Sequence, residues 1–172
     1  MSCCYDRCVV KLLVLALTTA CHGPAPDLGK QDPPCRALPA KRPAAAILKL
    51  ARVDGESLTH TIDVALVADA PCPHRPTLED PTCIRLTDEA MDYVWHALVA
   101  IAPHTIALQR HDQCIHCGGN WITIEWAGGT CSRGNDHFFD VAQPSQQRFE
   151  RAVQILAAAA AAGGVKEKAP PR

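Results

Sequence analysis

Aromatic side chains are scarce in this sequence. Phe, Trp and Tyr make up only 5% of the 172 residues. Proteins that bind single-stranded nucleic acid stack the bases on several aromatic rings, so this scarcity argues against such a surface. The formal net charge is −1, and Lys and Arg never gather in a basic run. We therefore expect no nucleic-acid partner, because binding to a phosphate backbone depends on clustered positive charge.

The short motifs that carry well-understood chemistry are also missing. The sequence has no P-loop, no glycine fingerprint of a dinucleotide site, no Gly-x-Ser-x-Gly and no His-Glu-x-x-His. We therefore predict no catalytic residue and favour a non-enzymatic protein. Hydrophobic residues form 48% and charged residues 20% of the chain, which is typical of a globular protein. The length suits one domain with extensions.

Hydrophobic runs long enough to stay in a membrane as a helix are absent as well. Residues 12–20 are apolar or small, but as a helix they would span roughly 14 Å, about half of a bilayer core. They follow the positive charges of Arg7 and Lys11. This order is typical of a cleavable signal peptide, which we predict over residues 1–20.

The sequence Leu17-Thr18-Thr19-Ala20-Cys21 ends this segment. It resembles the lipobox of bacterial lipoproteins, although the leucine lies one place further from the cysteine than is usual. The resemblance implies that cleavage falls just before Cys21 and that Cys21 receives a lipid. The predicted partner is therefore the membrane, reached through that lipid, and no protein or ligand partner is indicated. The expected location is the cell envelope, and His22 in place of aspartate favours the outer membrane, facing the periplasm.

Proline dominates the stretch that follows. Residues 21–45 contain six prolines and show no hydrophobic periodicity, which predicts a flexible, solvated tether. Residues 46–162 are predicted to form one domain, and residues 163–172 a disordered tail. Because neither extension has an apolar face, deleting residues 22–44 is expected to leave the melting temperature nearly unchanged.

The predicted domain combines strands with helices. Segments at 47–52, 58–68 and 121–126 are rich in β-branched or alternating apolar residues and indicate strands. A helix is predicted between a cap at Thr87 and a stop at Pro103. Its apolar stripe consists of Met91, Val94, Trp95, Leu98, Ile101 and Ala102. With a second amphipathic helix near the end of the domain, we expect an α+β fold: a small antiparallel sheet with two helices packed on one face, stapled by disulfides.

The most prominent feature of the sequence is its ten cysteines. Such a number is typical of a protein in an oxidising compartment. If Cys3, Cys4 and Cys8 leave with the signal peptide and Cys21 carries lipid, an even number remains that can pair completely. The predicted disulfide cysteines are Cys35, Cys72, Cys83, Cys114, Cys117 and Cys131. Of the possible pairs, Cys72–Cys83 is favoured because it closes a short proline-rich loop. Cys114 and Cys117 are each expected to pair elsewhere among these six.

The segment from His111 to Cys117 permits a second interpretation. Cys114 and Cys117, with His111 or His116, have spacing that suits zinc. The two cysteines also have the spacing of a redox pair. A second C-x2-C pair is missing, and a strand rather than a helix is predicted to follow, so structural disulfides are favoured. No cofactor is expected, with zinc as the alternative.

Two further residue groups have less specific patterns. Glu125 lies between two apolar residues of a predicted strand, where a solvated residue is expected more often than a general acid. Trp121 and Trp126 are considered as walls of a groove for a ligand, with core packing favoured. The sequence therefore predicts an exported, lipid-anchored binding or structural module. The alternative is a metal-binding or thiol-redox protein centred on Cys114, His116 and Cys117.

Overall fold

A computed structural model describes residues 32–53, 60–73, 82–110, 118–136, 138–163 and 165–167. Within them the strands are β1 (Ile47–Val53), β2 (His60–Val67), β3 (Thr82–Arg85), β4 (Leu108–Arg110), β5 (Gly119–Trp126), β6 (Gly129–Gly134), β7 (Phe139–Val141) and β8 (Val165–Glu167). The α-helices are α1 (Asp88–Ile101) and α2 (Gln143–Ala162), and a single 3₁₀ turn covers Pro103–Thr105.

The larger sheet has the strand order β6-β5-β1-β2-β3-β8, and β4 pairs with β7 in a second, two-stranded sheet. The predicted α+β class with disulfides is confirmed. The pairing differs from the prediction at one place, because β2 and β3 run parallel and make the large sheet mixed. Residues 68–81 separate these two strands, which is enough chain for the crossover of about a dozen residues that a parallel pair requires.

Helix α1 follows the sequence prediction closely. The hydroxyl of Thr87 accepts a hydrogen bond from the Ala90 amide at 3.2 Å and caps the first turn. The helix ends at Ala102, whose backbone is left-handed with φ of 54° and donates to the carbonyls of Leu98 and Val99. Pro103 then prevents another helical turn. Five residues of the predicted stripe are buried: Met91, Val94, Trp95, Leu98 and Ile101.

Both helices pack on the same face of the large sheet, as predicted. Leu48 of β1 lies opposite Leu66 of β2 and Ile124 of β5, so the three side chains share that face. They form one core with Trp95 of α1 and Phe149 of α2. All five side chains are almost completely buried. Burial of each stabilises the fold by roughly 1.5–3 kcal/mol relative to exposure, which makes this layer the main source of stability.

Three strands have no counterpart in the sequence prediction. β8 pairs with β3 inside the predicted disordered tail, so the tail prediction is wrong for residues 165–167. β3 has only four residues and lies between the predicted proline-rich loop and the predicted helix. β6 lies in a glycine-rich segment that predicts a turn, yet it pairs with β5 along its length. A Cβ on Gly134 would lie 2.7 Å from the Cα of Trp121, so glycine allows the two strands to approach there.

Candidate functional site

Four of the predicted disulfide cysteines are joined in two bridges. Cys72 is bonded to Cys83, which confirms that prediction, and their Cα atoms are 5.9 Å apart. Cys35 is bonded to Cys131, at a sequence separation of 96. Cys83 and Cys131 are buried, whereas Cys35 and Cys72 are half-buried. Each bridge therefore joins a buried cysteine of a strand to a cysteine that is partly exposed.

The remaining predicted site residues lie outside the described residues. These are Cys21, His111, Cys114, His116 and Cys117. The two bridges nevertheless correct one expectation. Cys114 and Cys117 were expected to pair with Cys35, Cys72, Cys83 or Cys131, but those four cysteines are bonded to one another. The long-range bridge is the reason, because it uses Cys131, the nearest later cysteine in the sequence.

Residues 32–45, here called the strap, pack against the domain. The sequence prediction assigned them to the flexible tether, and the structure differs for this part of it. The Arg36 amide donates to the Thr130 carbonyl, and the Ser132 amide donates to the Pro34 carbonyl, each at 3.0 Å. The strap therefore lies along the outer edge of β6, and Cys35 pairs with Cys131 in the middle of this contact. Local composition misses such packing because the partner strand is distant in sequence.

Arg133 of β6 adds a second attachment for the start of the strap. Its guanidinium donates to the Pro33 carbonyl at 2.9 Å and to the Ile106 carbonyl at 3.0 Å. Partial burial lowers the pKa of Arg133, and the charge of Asp32 opposes that shift. The side chain stays protonated at physiological pH because the pKa of arginine lies far above it. One cation thus connects the strap, β6 and the segment before β4.

The middle of the strap contributes to the main core. Leu38 packs against it as a partly buried side chain. The indole Nε1 of Trp95 donates to the Pro39 carbonyl at 2.9 Å. Because Trp95 is completely buried, the strap supplies the hydrogen-bond acceptor that a buried indole requires. Without the strap, this donor would lose its partner in an apolar environment.

The end of the strap is held by an ion cluster around Arg42. Its guanidinium lies 2.5 Å from Asp92, 2.7 Å from Asp88 and 3.2 Å from Asp69. The Arg42 side chain is only 9% exposed, whereas the carboxylates are 43–72% exposed. Burial would lower the pKa of Arg42, but the hydrogen bonds to Asp92 and Asp88 and the charge of Asp69 together raise it. The cluster joins the strap to the first turn of α1 and to the chain just after β2.

Asp69 also fixes the junction between the strap and β1. Its Oδ2 accepts a hydrogen bond from the Ala45 amide at 3.0 Å. That hydrogen bond lowers the pKa of Asp69, and a hydrogen bond from its own backbone and the charge of Arg42 act in the same direction, although burial opposes them. Ala45 has φ of 56°, a left-handed conformation that costs an alanine roughly 1–2 kcal/mol. No residue pattern in the sequence indicates this cluster, because its members come from three separate segments.

Trp121, Trp126 and Glu125, the remaining candidates from the sequence, do not form a common site in the structure. Trp121 is buried with Ala51 and Val53, whereas Trp126 packs edge-on against Trp95 with ring centroids 6.1 Å apart. The two residues are five positions apart on one strand and therefore point to opposite faces, so they do not line a common groove. Glu125 forms an ion pair with Lys49 at 2.6 Å on the face away from the helices.

An apolar groove lies between the two helices. Its volume is about 450 Å³, within the usual range of ligand pockets. Tyr93, which is 77% exposed, lies at this groove with Val94 and Leu86 from the α1 side. Ile155 and Ala159 line the side of α2. The apolar side chains that line the groove suit an apolar part of a ligand.

Metal-ligating side chains do not cluster within the described ranges, where no group of three His, Cys, Asp or Glu residues could hold an ion. In the same part of the chain, no helix has the length and hydrophobicity to cross a membrane. The chain matches no family model, no curated protein and no solved structure.

Proposed function

We propose that this chain is an exported bacterial lipoprotein whose domain acts as a non-enzymatic binding or structural module of the cell envelope. The observation that carries the proposal is the pair of disulfide bridges, Cys35–Cys131 and Cys72–Cys83. Such bridges persist in oxidising compartments and are rare in a reducing cytosol. They agree with the signal-peptide-like segment and the lipobox-like sequence before Cys21.

Two polar side chains are buried among the described residues, and both form hydrogen bonds to the backbone, which supports a structural role for them. Asp136 accepts hydrogen bonds from the amides of Phe138 and Phe139 at 2.7 and 2.8 Å. Ser145 accepts one from the amide of Ala107 at 3.1 Å. Asp136 closes a backbone turn, whereas Ser145 connects the start of α2 to the segment before β4. The apolar groove between α1 and α2 supports a binding role for the module, since it offers a concave, apolar surface.

The test of anchoring is the Cys21→Ser variant. Wild-type protein is expected in the membrane fraction, with an N-terminal peptide that begins at Cys21 and carries acyl chains. Two or more chains are needed for stable anchoring. Cys21→Ser should be released or remain an unprocessed precursor, whereas Cys35→Ser, the matched control, should still be lipidated. A wild-type protein with an unmodified N-terminus would contradict the proposal.

A second candidate function is favoured by the pairing of the other cysteines. Because Cys35, Cys72, Cys83 and Cys131 are bonded among themselves, none of them is left for Cys114 or Cys117. These two can then bond to each other, carry zinc together with His116, or exchange thiols. The alternative function is thus a metal-binding or thiol-redox protein centred on this C-x2-C pair.

Alkylation of unreduced protein separates the two candidates. Two modified thiols in the peptide that contains Cys114 and Cys117, together with bound zinc by elemental analysis, would favour the metal site. No modified thiol in that peptide would favour a closed Cys114–Cys117 bridge. Reversible reduction of that bridge at milder potentials than the other two would favour the redox function. A Cys114→Ser/Cys117→Ser variant is the control, because it keeps both described bridges.

A further inference from the structure

We propose that the strap is a redox-controlled latch over the edge of β6, closed by the Cys35–Cys131 bridge and opened when that bridge is reduced. The proposal goes beyond membrane anchoring, because neither cysteine takes part in lipidation. It concerns the first half of the strap, residues 32–37. The second half, from Leu38 onwards, is held by other contacts.

The outer edge of β6 needs a cover. An end strand presents unpaired amides and carbonyls that invite pairing with another chain. Among the described residues, the strap covers β6 with two backbone hydrogen bonds, from Arg36 to Thr130 and from Ser132 to Pro34. Pro33 and Pro34 have no amide hydrogen, so the strap cannot extend this pairing as a regular strand would. Two side-chain hydrogen bonds, from Arg133 to the Pro33 carbonyl and from Arg36 to the Gly128 carbonyl, add to the attachment, and the covalent bridge lies between them.

The two cysteines of the bridge differ in burial. Cys131 is completely buried, whereas Cys35 is partly buried on the strap. In the proposed reaction a dithiol reductant approaches from the side of Cys35 and attacks its Sγ. Its thiolate bonds to that sulfur, the Cys35–Cys131 bond breaks, and Cys131 leaves as a thiolate that takes a proton. The second thiolate of the reductant then displaces Cys35, so that two electrons and two protons pass from the dithiol to the protein, and a disulfide donor closes the latch by the reverse sequence.

The second half of the strap limits how far the latch opens. The Pro39 carbonyl is bonded to the buried indole of Trp95, and Arg42 is bonded to three carboxylates, including Asp92. β1 begins only after the left-handed turn at Ala45 and pairs with β2 and β5. Reduction should therefore free residues 32–37 and leave the sheet and α1 folded.

Hydrogen exchange at single amides tests the latch in the full chain purified from an oxidising compartment. The experiment uses the Cys72→Ser/Cys83→Ser variant, which lacks the local bridge. When this variant is treated with a dithiol, Cys35–Cys131 is the one bridge of the described residues that can be reduced. The amides of Arg36 and Ser132 should then exchange roughly a hundredfold faster, because the strap is no longer tied covalently to β6. The amides of α1 should remain much better protected than these two, because they exchange only when the whole domain unfolds. The Cys35→Ser/Cys131→Ser variant should exchange rapidly at Ser132 with or without the dithiol.

Two outcomes would overturn the proposal. If Arg36 and Ser132 stay protected after confirmed reduction of the bridge, the non-covalent contacts hold the strap and no latch exists. If the amides of α1 exchange as fast as that of Ser132 after reduction, the bridge is a brace of the whole domain rather than a local latch. Because the reduced variant keeps Cys35 and Cys131, the measurement does not depend on a substitution at the latch.

Discussion

The two disulfide bridges hold different kinds of structure. Cys72 and Cys83 are separated by 11 positions, and their bridge closes a local loop between β2 and β3. Cys35 and Cys131 are separated by 96 positions, and their bridge fixes the strap to the last strand of the sheet on the opposite side. The local bridge can be predicted from the sequence, because its two cysteines flank a proline-rich loop. The distant one depends on β6 being a strand and on the strap lying beside it.

This difference also separates the energetic roles of the two regions. A bridge stabilises a protein mainly by restricting the unfolded chain, and the effect grows with the length of the closed loop. The strap side adds a buried indole hydrogen bond and the Arg42 cluster. On the side of the local bridge, Arg85 donates to the Ala68 carbonyl at 2.5 Å. We therefore expect the strap side to be the more sensitive to substitution.

The largest expected effect comes from removing each bridge in turn. Cys35→Ser/Cys131→Ser should lower the free energy of unfolding by about 4–5 kcal/mol, and Cys72→Ser/Cys83→Ser by about 3 kcal/mol, following the loop-length dependence. Urea denaturation of both variants measures the difference directly. Equal losses would mean that loop length does not govern these bridges. For the same reason, deleting residues 22–44 should now lower the melting temperature, contrary to the expectation from sequence.

A smaller loss is expected for Arg42→Met. This change keeps much of the apolar length of the side chain and removes the charge, leaving Asp69, Asp88 and Asp92 without their shared cation. The loss should be about 1–2 kcal/mol, because a well-shielded guanidinium faces carboxylates that are largely exposed. It should shrink at high salt, which weakens exposed ion pairs. A loss that does not respond to salt would point to packing rather than charge.

Arg85→Met is the matched substitution on the side of the local bridge. Arg85 is exposed and donates hydrogen bonds to the backbone after β2, at the carbonyls of Ala68 and Ala70. We expect a loss of less than about 1 kcal/mol, typical of exposed hydrogen bonds to neutral carbonyls. Denaturation of Arg42→Met and Arg85→Met under the same conditions compares the two regions. A larger loss for Arg85→Met would reverse the comparison.

The smallest expected effect is a pH dependence from Asp69. Its pKa in the folded protein lies below the usual value of 3.8. The stability that it contributes is therefore complete above pH 3.8 and disappears as the pH falls through the lowered pKa. Asp69→Asn should remove this part of the acid sensitivity, seen as a shallower loss of stability as the pH falls below about 4. Identical acid-unfolding curves for the variant and the wild type would exclude the contribution.

Local pattern was sufficient where neighbouring residues decide the structure. Thr87 and Pro103 bound α1 because a cap and a proline act within one helical turn. The alternation around Ile122 and Ile124 placed both on the buried face of β5. The Cys72–Cys83 bridge belongs with these, since its ends flank one loop.

Local pattern was insufficient for β3, β6, β8 and the strap. β6 contains glycines and polar residues with little strand propensity, and it forms a strand because β5 offers its edge after a tight turn at residues 127–128. β8 pairs with β3 only after α2 has returned the chain to that edge of the sheet. The ion cluster around Arg42 was missed for the same reason, because Arg42, Asp69 and Asp92 belong to segments that meet only in the folded domain.

The sequence by itself determined the α+β class, the limits of α1, the faces of β5 and the local disulfide. Each of these depends on contacts between residues a few positions apart. Only the tertiary structure decided the parallel β2–β3 pair, the docking of the strap and the partner of Cys35. These depend on which edges of the sheet remain open once the helices have covered one face. That outcome reflects the free energy of the whole packed domain and is encoded in no single segment.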